Sequence, residues 1–226
     1  IRPSGPEYLM EDFYYAGGLR ALMLELGDKL DLNVLTVSGT SLGKNLEGAI
    51  NYNTDVIRPL KNPVYHEGSL AVLRGNLAPD GAVIKPAAME QKFQVHSGPA
   101  IVADSYQDLK EIIDNENYPI SPDLILVLRK AGPKGGPGMP EWGMIPMPKA
   151  LLKQGCRDML RLSDARMSGT SFGACILHIA PESFVGGPLA LIKTGDIIKV
   201  DIPNRHLNVD LDLSLIHISE PTRRNS

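Results

Sequence analysis

A series of short β-prone runs follows Gly68 and constrains the fold more than any other feature of this sequence. The runs are rich in Val, Ile and Leu and are separated by Gly, Pro and Asp: Ala71–Leu73, Ala82–Ile84, Ala100–Ala103, Leu124–Leu128, Cys175–Ile179 and Ile197–Asp201. Three segments between them have helical character: Tyr106–Ile113, Lys149–Gln154 and Pro188–Lys193. Because a continuous parallel sheet needs a helix after almost every strand, this pattern instead predicts a closed or nearly closed β-barrel with peripheral helices.

The segment before Gly68 differs in character. Residues 7–26 predict a helix with an apolar stripe, which Gly17-Gly18 interrupts as a kink or a point of close packing. Val34–Val37 predicts a strand. Residues 51–67 are polar and contain two prolines, so they predict an interdomain linker.

The composition excludes several classes of protein. At 226 residues, with 43% apolar and 22% charged residues, the chain has the balance of a soluble globular protein with a real core. The net charge of −3 gives no basic surface for nucleic acid, and no apolar run reaches the length of a membrane span. The two cysteines lack metal-type spacing and are too few for a disulfide scaffold, so we expect a reducing, cytoplasmic location.

Both ends of the chain are unusual. It starts at Ile1 rather than Met and runs directly into Pro3-Ser-Gly-Pro6. At the other end, the eleven residues Leu213–Arg223 read as an in-frame translation of a sequencing adapter derived from a transposon end. We therefore interpret residues 213–226 as a non-native tail and expect a fragment that is truncated at both ends.

Two loops rich in glycine are the strongest candidates for a functional site, because glycine lets a backbone approach a ligand closely. The first spans residues 132–141 and ends in Glu141. Its carboxylate suits a hard cation such as Mg²⁺, which takes only one or two carboxylates besides water and substrate oxygens. A solvated loop glutamate is the alternative interpretation.

The second loop, residues 163–173, carries Ser168 in a stretch of hydroxyls and glycines. Such a loop can present hydroxyl and N–H groups to an anionic substrate, and a serine acts as a base only where a nearby cation stabilises its alkoxide. An ordinary turn, in which the hydroxyls bond their own backbone, is the alternative. Within the loop, Asp164 and Arg166 are expected to form a structural ion pair.

Other chemistry-bearing residues fit structural roles better than catalysis. His96 precedes a strand, and His178 alternates with apolar residues, which predicts a half-buried histidine with satisfied hydrogen bonds. Cys156 and Cys175 are typical of small packing residues. Gly43-Lys44-Asn45 lacks the upstream glycine spacing of a phosphate-binding loop.

Four segments together resemble the C-terminal portion of the family that unites dihydroxy-acid dehydratase with the sugar-acid (aldonate) dehydratases. They are residues 5–18 (GPEYLMEDFYYAGG), 71–85 (AVLRGNLAPDGAVIK), 135–141 (GGPGMPE) and 163–169 (SDARMSG). The resemblance covers essentially residues 3–212. Tyr8-Leu-Met and Glu141-Trp-Gly are similar to the sugar-acid branch, which includes arabinonate and xylonate dehydratases.

This resemblance implies a mixed α/β chain in two parts. Residues 1–67 would be the end of an N-terminal α/β domain plus a linker, and residues 68–212 a truncated swivelling β-barrel (β/β/α) domain with peripheral helices. In the family, the N-terminal domain carries three cysteines that bind an iron–sulfur cluster, expected to be [2Fe–2S], and most ligands of a Mg²⁺ ion. Neither Cys156 nor Cys175 matches a cluster ligand.

The resemblance also assigns roles to three residues of the barrel. Glu141 matches the magnesium ligand, Ser168 the base that removes the C2 proton of the substrate, and Thr170 a hydroxyl residue that assists.

The implied enzyme is a hydro-lyase that dehydrates a sugar acid to a 2-keto-3-deoxy acid with an iron–sulfur cluster and Mg²⁺. The alternatives are dihydroxy-acid dehydratase of branched-chain amino-acid synthesis and a non-catalytic swivelling-barrel partner subunit. We expect a small-molecule sugar acid as the partner, without nucleic acid or membrane. We also expect a homo-oligomer, dimer or tetramer, at full length, and an inactive isolated fragment.

Overall fold

The computed structural model of the chain describes residues 1–2, 7–64, 66–169 and 172–210. By contacts the chain divides into two units, residues 1–68 and the residues from Ser69 onward. Thr170 and residues 213–226, the predicted non-native tail, lie outside the described residues.

The N-terminal unit contains three short α-helices in its described part: α1 (Met10–Tyr15), α2 (Gly18–Leu26) and α3 (Leu42–Leu46). The break between α1 and α2 falls at Gly17, which has a left-handed φ of 110°. A Cβ at this position would collide with the carbonyl oxygen of Ile50. The predicted single helix is therefore two helices, and Gly17 is a point where two backbone segments pack closely.

Val34–Val37 does not form the predicted strand. Leu35 makes one isolated bridge to Ser41, and the intervening turn is held by Asn45, whose Nδ2 donates to Thr36 Oγ1 (2.7 Å). A β-prone segment needs neighbouring strands to pair its backbone groups, and here a local network of polar side chains holds a turn instead.

As far as it is described, the second unit is built on one sheet of eight strands: β1 (Ala71–Leu73), β2 (Gly81–Ile84), β3 (Val95–Ala103), β4 (Ile125–Leu128), β5 (Arg161–Ser163), β6 (Cys175–Ala180), β7 (Ile197–Asp201) and β8 (His206–Val209). The same residues contain the helices α4 (Tyr106–Asp114) and α5 (Lys149–Lys153), with 3₁₀ turns at Pro86–Ala88, Gln91–Phe93, Ser183–Val185 and Pro188–Leu191. All six predicted β-prone runs form strands, and the third predicted helix is a 3₁₀ turn.

The sheet is nearly closed, because its two edge strands meet. The strand order is β1-β2-β6-β5-β4-β3-β7-β8, so β1 and β8 are the edges. Directly after β1, the N–H of Arg74 donates to the carbonyl of Arg205 (2.8 Å), and the N–H of Leu207 in β8 donates to the carbonyl of Arg74 (2.9 Å). The unit is thus a mixed α/β fold with a barrel-like sheet and few helices, as the pattern of short strands predicted.

One half of the sheet is parallel. The pairs β3–β4, β4–β5 and β5–β6 are parallel, whereas β1–β2, β2–β6, β3–β7 and β7–β8 are antiparallel. Helix α4 lies in the crossover from β3 to β4, and α5 in the crossover from β4 to β5. The crossover from β5 to β6, residues 164–174, has no helix in its described part. Since parallel crossovers usually contain a helix, this loop is unusual.

Burial explains why the parallel strands read as continuous apolar runs. All four residues of β4 are buried, as expected of a strand covered on both faces. Helix α4 buries Leu109, Ile112 and Ile113. Ser105 is its N-cap, because the Ser105 side chain accepts a hydrogen bond from the N–H of Asp108 (3.1 Å).

Candidate active site

Three loops leave the sheet at the carboxyl ends of the adjacent parallel strands β4, β5 and β6. The first is the glycine-rich loop, residues 129–141. The second is the Ser168 loop, residues 164–174, and the third begins at Pro181. Ligands of parallel sheets bind at the carboxyl ends of the strands, because loops from neighbouring strands converge there. Because β4 and β5 are parallel neighbours, the two loops predicted from the sequence to be functional begin at the same end of the sheet.

Asp164 is the buried junction of these loops. Its Oδ1 accepts a hydrogen bond from the N–H of Ala131 (3.0 Å), and its Oδ2 accepts from the N–H (2.8 Å) and the hydroxyl (2.6 Å) of Ser183. The N–H of Lys130 donates to the same hydroxyl (2.7 Å). The predicted ion pair between Asp164 and Arg166 is wrong, because the Asp164 carboxylate binds the neighbouring loops and Arg166 pairs with a different acid.

Glu182 holds the glycine-rich loop in place. Its buried carboxylate accepts hydrogen bonds from the N–H of Lys134 through both oxygens (2.9 and 3.0 Å) and from the N–H of Gly135 (3.2 Å). A Cβ at Gly132 would collide with this carboxylate. Two successive N–H groups and a glycine thus form a concave seat for an anion, which Glu182 occupies.

Glu141 forms an ion pair with Arg166 of the Ser168 loop. The side chains are 49% and 40% exposed, so both reach solvent. The N–H of Gly143 donates to the carbonyl of Arg166 (2.8 Å), which joins the same two loops through the backbone. The structure therefore places an accessible carboxylate against a residue two positions before Ser168.

Ser168 is half-buried and lines a cavity of about 190 Å³, here called the Ser168 cavity. Lys85 and His178 line the same cavity, and the remaining walls are mainly apolar, with Val83 and Leu177 among them. A hydroxyl and two nitrogen-bearing side chains therefore face one small, largely apolar space. Thr170, the predicted assisting hydroxyl, lies outside the described residues.

The Ser168 loop is anchored at its far end as well. The N–H of Gly173 donates to the carbonyl of Ala88 (2.7 Å), and the N–H of Ala174 donates to the buried carboxylate of Asp158 (2.9 and 3.1 Å). Both ends of the loop are therefore tied to the body of the sheet.

His178 lines the Ser168 cavity and also a second cavity of about 390 Å³, which Lys134 and Glu182 help to enclose. Its φ of 54° is left-handed, which is uncommon for a residue with a side chain, and the register of β2 against β6 shifts nearby. Although the residue is more exposed than predicted, the protein packed around the ring lowers its pKa, and the positive charge of Arg166 adds to this effect. The imidazole is therefore neutral at pH 7.

The cysteines and His96 have structural surroundings. Cys175 is buried, and this burial raises the pKa of its thiol, so it stays protonated. The thiol of Cys156 lies 3.2 Å from the carbonyl oxygen of Asp158. His96 lies within β3, where its ring packs edge-on against Phe93. The prediction that the two cysteines are packing residues is consistent with these contacts.

Within the described ranges, no group of three or more His, Cys, Asp and Glu side chains converges as a complete metal site requires. Glu141 nevertheless fits one role at a shared Mg²⁺ site, because its carboxylate is accessible and Mg²⁺ uses few protein carboxylates. An iron–sulfur cluster does not fit this chain, since clusters are held mainly by cysteine thiolates and the sequence has two cysteines, of which Cys175 is a buried thiol.

Three site residues were not identified from the sequence: Lys85, Glu182 and Ser183. A usable signal was present, because each is a polar residue that follows a β-prone run by only a few positions. Polar side chains just beyond a strand lie at the end of the strands, where loops from several strands meet.

In the described part of the chain, no helix is both long and apolar enough to cross a lipid bilayer.

Comparison with known proteins finds several dehydratases that are similar to the chain. The chain is 51% identical to 6-deoxy-6-sulfo-D-gluconate dehydratase of Pseudomonas putida over 92% of its own length and 36% of that protein. It is 46% identical to L-arabinonate dehydratase of Rhizobium leguminosarum bv. trifolii over 93% of the chain and 37% of the relative. It is 44% identical to dihydroxy-acid dehydratase of Carboxydothermus hydrogenoformans over 92% of the chain and 37% of the relative. The chain thus spans about a third of the length of these curated relatives.

A model of the family described as "Dihydroxy-acid/6-phosphogluconate dehydratase C-terminal" matches residues 55–224. This range contains the glycine-rich loop and the Ser168 loop. The chain belongs to the dihydroxy-acid/6-phosphogluconate dehydratase family, of which it carries the C-terminal region.

Proposed function

We propose that this chain is the C-terminal portion of a hydro-lyase that converts a sugar acid to a 2-keto-3-deoxy acid. The contact between Glu141 and Arg166 carries the proposal, because it joins the two loops whose residues match the metal ligand and the base of the family. The names of relatives also support it, since those at 51% and 46% identity act on sugar acids.

In the proposed reaction, the Ser168 oxygen removes the C2 proton of a 2,3-dihydroxy acid. The electron pair of the C2–H bond forms the C2=C3 double bond while the C3–O bond breaks. The departing oxygen takes a proton from solvent and leaves as water, and Ser168 afterwards returns the C2 proton to solvent. The resulting enol tautomerises to the 2-keto acid. A half-buried serine in a largely apolar cavity is suited to this step, since little water competes for the proton.

Glu141 would supply one carboxylate ligand to Mg²⁺, and in doing so it would exchange its ion pair with Arg166 for the metal. When bound, Mg²⁺ polarises oxygen ligands and neutralises negative charge on the substrate. We propose that the cluster of the family is held by residues that this chain does not supply, and we assign it no step here.

Dihydroxy-acid dehydratase is the second candidate function. Relatives with that name are 43–45% identical to the chain, over a similar share of its length. The higher identity to sugar-acid dehydratases favours the first candidate, and an activity panel separates the two.

The test uses the full-length protein of which we propose this chain to be a portion, incubated with several aldonates and with a branched 2,3-dihydroxy acid. We expect a 2-keto acid from at least one aldonate at a higher kcat/KM than from the branched acid. Preference for the branched acid would assign the second function, and no 2-keto acid from any of them, with the visible cluster absorption intact, would contradict both.

The Ser168→Ala variant tests the base. We expect turnover to fall by at least about a thousandfold, with the cluster absorption unchanged, because only the proton acceptor is lost. Normal turnover in this variant would overturn the assignment of Ser168.

A further inference from the structure

Lys85 directly follows β2, and its Nζ donates a hydrogen bond to the carbonyl oxygen of Gly169 (2.7 Å). Gly169 is the residue next to Ser168 in the chain. The lysine therefore reaches from another strand to the backbone that carries the proposed base, although the two segments are far apart in sequence.

The segment that begins with Lys85 holds the Ser168 loop at two points. Lys85 binds the carbonyl of Gly169, and the carbonyl of Ala88, three residues later, accepts the hydrogen bond of the Gly173 N–H (2.7 Å). Gly169 and Gly173 of the Ser168 loop are thus both bonded to the short segment 85–88. This arrangement fixes the position of Ser168 relative to β2.

Lys85 also brings an ammonium group to the Ser168 cavity. Among the lining residues in the described part of the chain, His178 is neutral at pH 7 and Cys175 remains a thiol. Of the lining residues in the described part of the chain, Lys85 is the one with a lysine, arginine or carboxylate side chain, so this small, largely apolar space contains an ammonium group.

We propose that Lys85 is a positioning residue for the dehydration reaction: its ammonium orients the Ser168 loop and stabilises the negatively charged oxygen of Ser168 when it acts as the base. This inference rests on the proposed function. Its physical reason is that a cation in a low-dielectric cavity favours the alkoxide form of a neighbouring hydroxyl.

A purely structural role for Lys85 makes a different prediction from an electrostatic one. If Lys85 only tethered the loop, its loss would lower kcat at every pH by the same factor. If its charge stabilises the alkoxide, its loss also displaces the rising limb of the pH–rate profile to higher pH, because the base is harder to deprotonate.

The experiment compares Lys85→Met, Lys85→Arg and Lys199→Met in the full-length protein, after the unmodified protein has formed a 2-keto acid from an aldonate. Lys199 is an exposed lysine that pairs with Asp210, and it serves as the matched control. We expect Lys85→Met to lower kcat about a hundredfold or more and to move the rising limb by about one pH unit or more. Lys85→Arg should keep the limb near its original pH, and Lys199→Met should change neither quantity.

A limb that stays in place in Lys85→Met, or one that moves equally in Lys85→Arg, would overturn the electrostatic role. Failure of the unmodified protein to form any 2-keto acid would instead contradict the proposed function, and the two failures are distinguishable.

The geometric half of the inference is tested separately on the chain itself by the ¹³C chemical shift of the Gly169 carbonyl. This shift should change in Lys85→Met and stay constant in Lys199→Met. An unchanged shift in folded Lys85→Met would overturn the contact.

Discussion

Asp158 and Arg161 form an ion pair of 2.9 Å in which the side chains are only 4% and 3% exposed. Arg161 also donates to the carbonyl of Ile145 (2.7 Å), and Asp158 accepts from the N–H groups of Glu90 and Ala174. The pair thus connects three separate segments, among them the end of the Ser168 loop. Each charge is buried, and each is compensated by the other and by backbone groups.

Asp158→Ala should therefore be strongly destabilising, because it leaves the Arg161 guanidinium buried without its counter-charge. We expect the free energy of unfolding to fall by about 3–5 kcal/mol, measured by urea denaturation followed by circular dichroism. Asp210→Ala, which breaks the exposed pair with Lys199, is the control and should cost less than about 1 kcal/mol. Equal losses in the two variants would contradict this account of the buried pair.

Asp104 should make the stability of the fold depend on acid pH. The guanidinium of Arg129, which bonds its carboxylate, and then the ammonium of Lys130 lower the pKa of Asp104 to about 2. Because this folded-state pKa lies below the ordinary value of 3.8, the pairs add stability above about pH 4 and lose it as the pH falls towards 2. Thermal unfolding between pH 5 and 2 should therefore show a fall in melting temperature that is smaller in Asp104→Asn. If the melting temperatures of the original protein and of Asp104→Asn fell by the same amount with pH, this role of Asp104 would be refuted.

Glu182→Ala should loosen the glycine-rich loop without unfolding the sheet. The N–H groups of Lys134 and Gly135 lose their acceptor, so their amide hydrogen exchange should quicken by about tenfold or more, which corresponds to about 1.4 kcal/mol. Glu90→Ala, which removes an exposed carboxylate paired with Lys92, provides the comparison and should leave both amides unchanged. If exchange at Lys134 were the same in both variants, Glu182 would have no role in holding the loop.

Two glycines with ordinary φ values should respond oppositely to an added methyl group. In Gly98→Ala the new Cβ would collide with the carbonyl oxygen of Asp123, so we expect a loss of about 1–3 kcal/mol in unfolding free energy. In Gly169→Ala the new Cβ has no atom of the described residues within 4 Å, so this variant should stay within about 0.5 kcal/mol of the original. Chemical denaturation of both variants measures the difference, and a neutral Gly98→Ala would show that β3 can shift.

Strands composed of apolar residues were predicted from the sequence, whereas two strands that contain polar residues were missed. Strand β5 was missed because it begins with Arg161, a charged residue that is typical of the surface but is buried here in an ion pair with Asp158. Strand β8 was also missed, although His206–Val209 does alternate, because the run is short and its place follows from pairing with β7. Conversely, Val34–Val37 has the composition of a strand, but the described part of its own unit contains no strand with which it could pair.

At the site, the roles of Glu141 and Ser168 stay predictions, whereas the predicted partner of Arg166 is wrong. Two opposite charges only two positions apart, such as Asp164 and Arg166, suggest a local pair, yet the two side chains contact different loops after β5. Which loops meet is set by strand order, which depends on contacts between residues distant in sequence. Lys85 was missed for the same reason, since only pairing of β2 with β6 brings it near the Ser168 loop.

The strand order also has a consequence for synthesis on the ribosome. Strand β2 gains its second neighbour only when β6 has emerged, about ninety residues later, and β3 pairs with β7, which comes about a hundred residues after it. The β2–β6 and β3–β7 pairs therefore cannot form while the nascent chain is still short. Until then, one side of β2 and one side of β3 have no partner strand. Translation rate and chaperone supply should consequently affect the yield of folded barrel more than they would in a protein built from local hairpins.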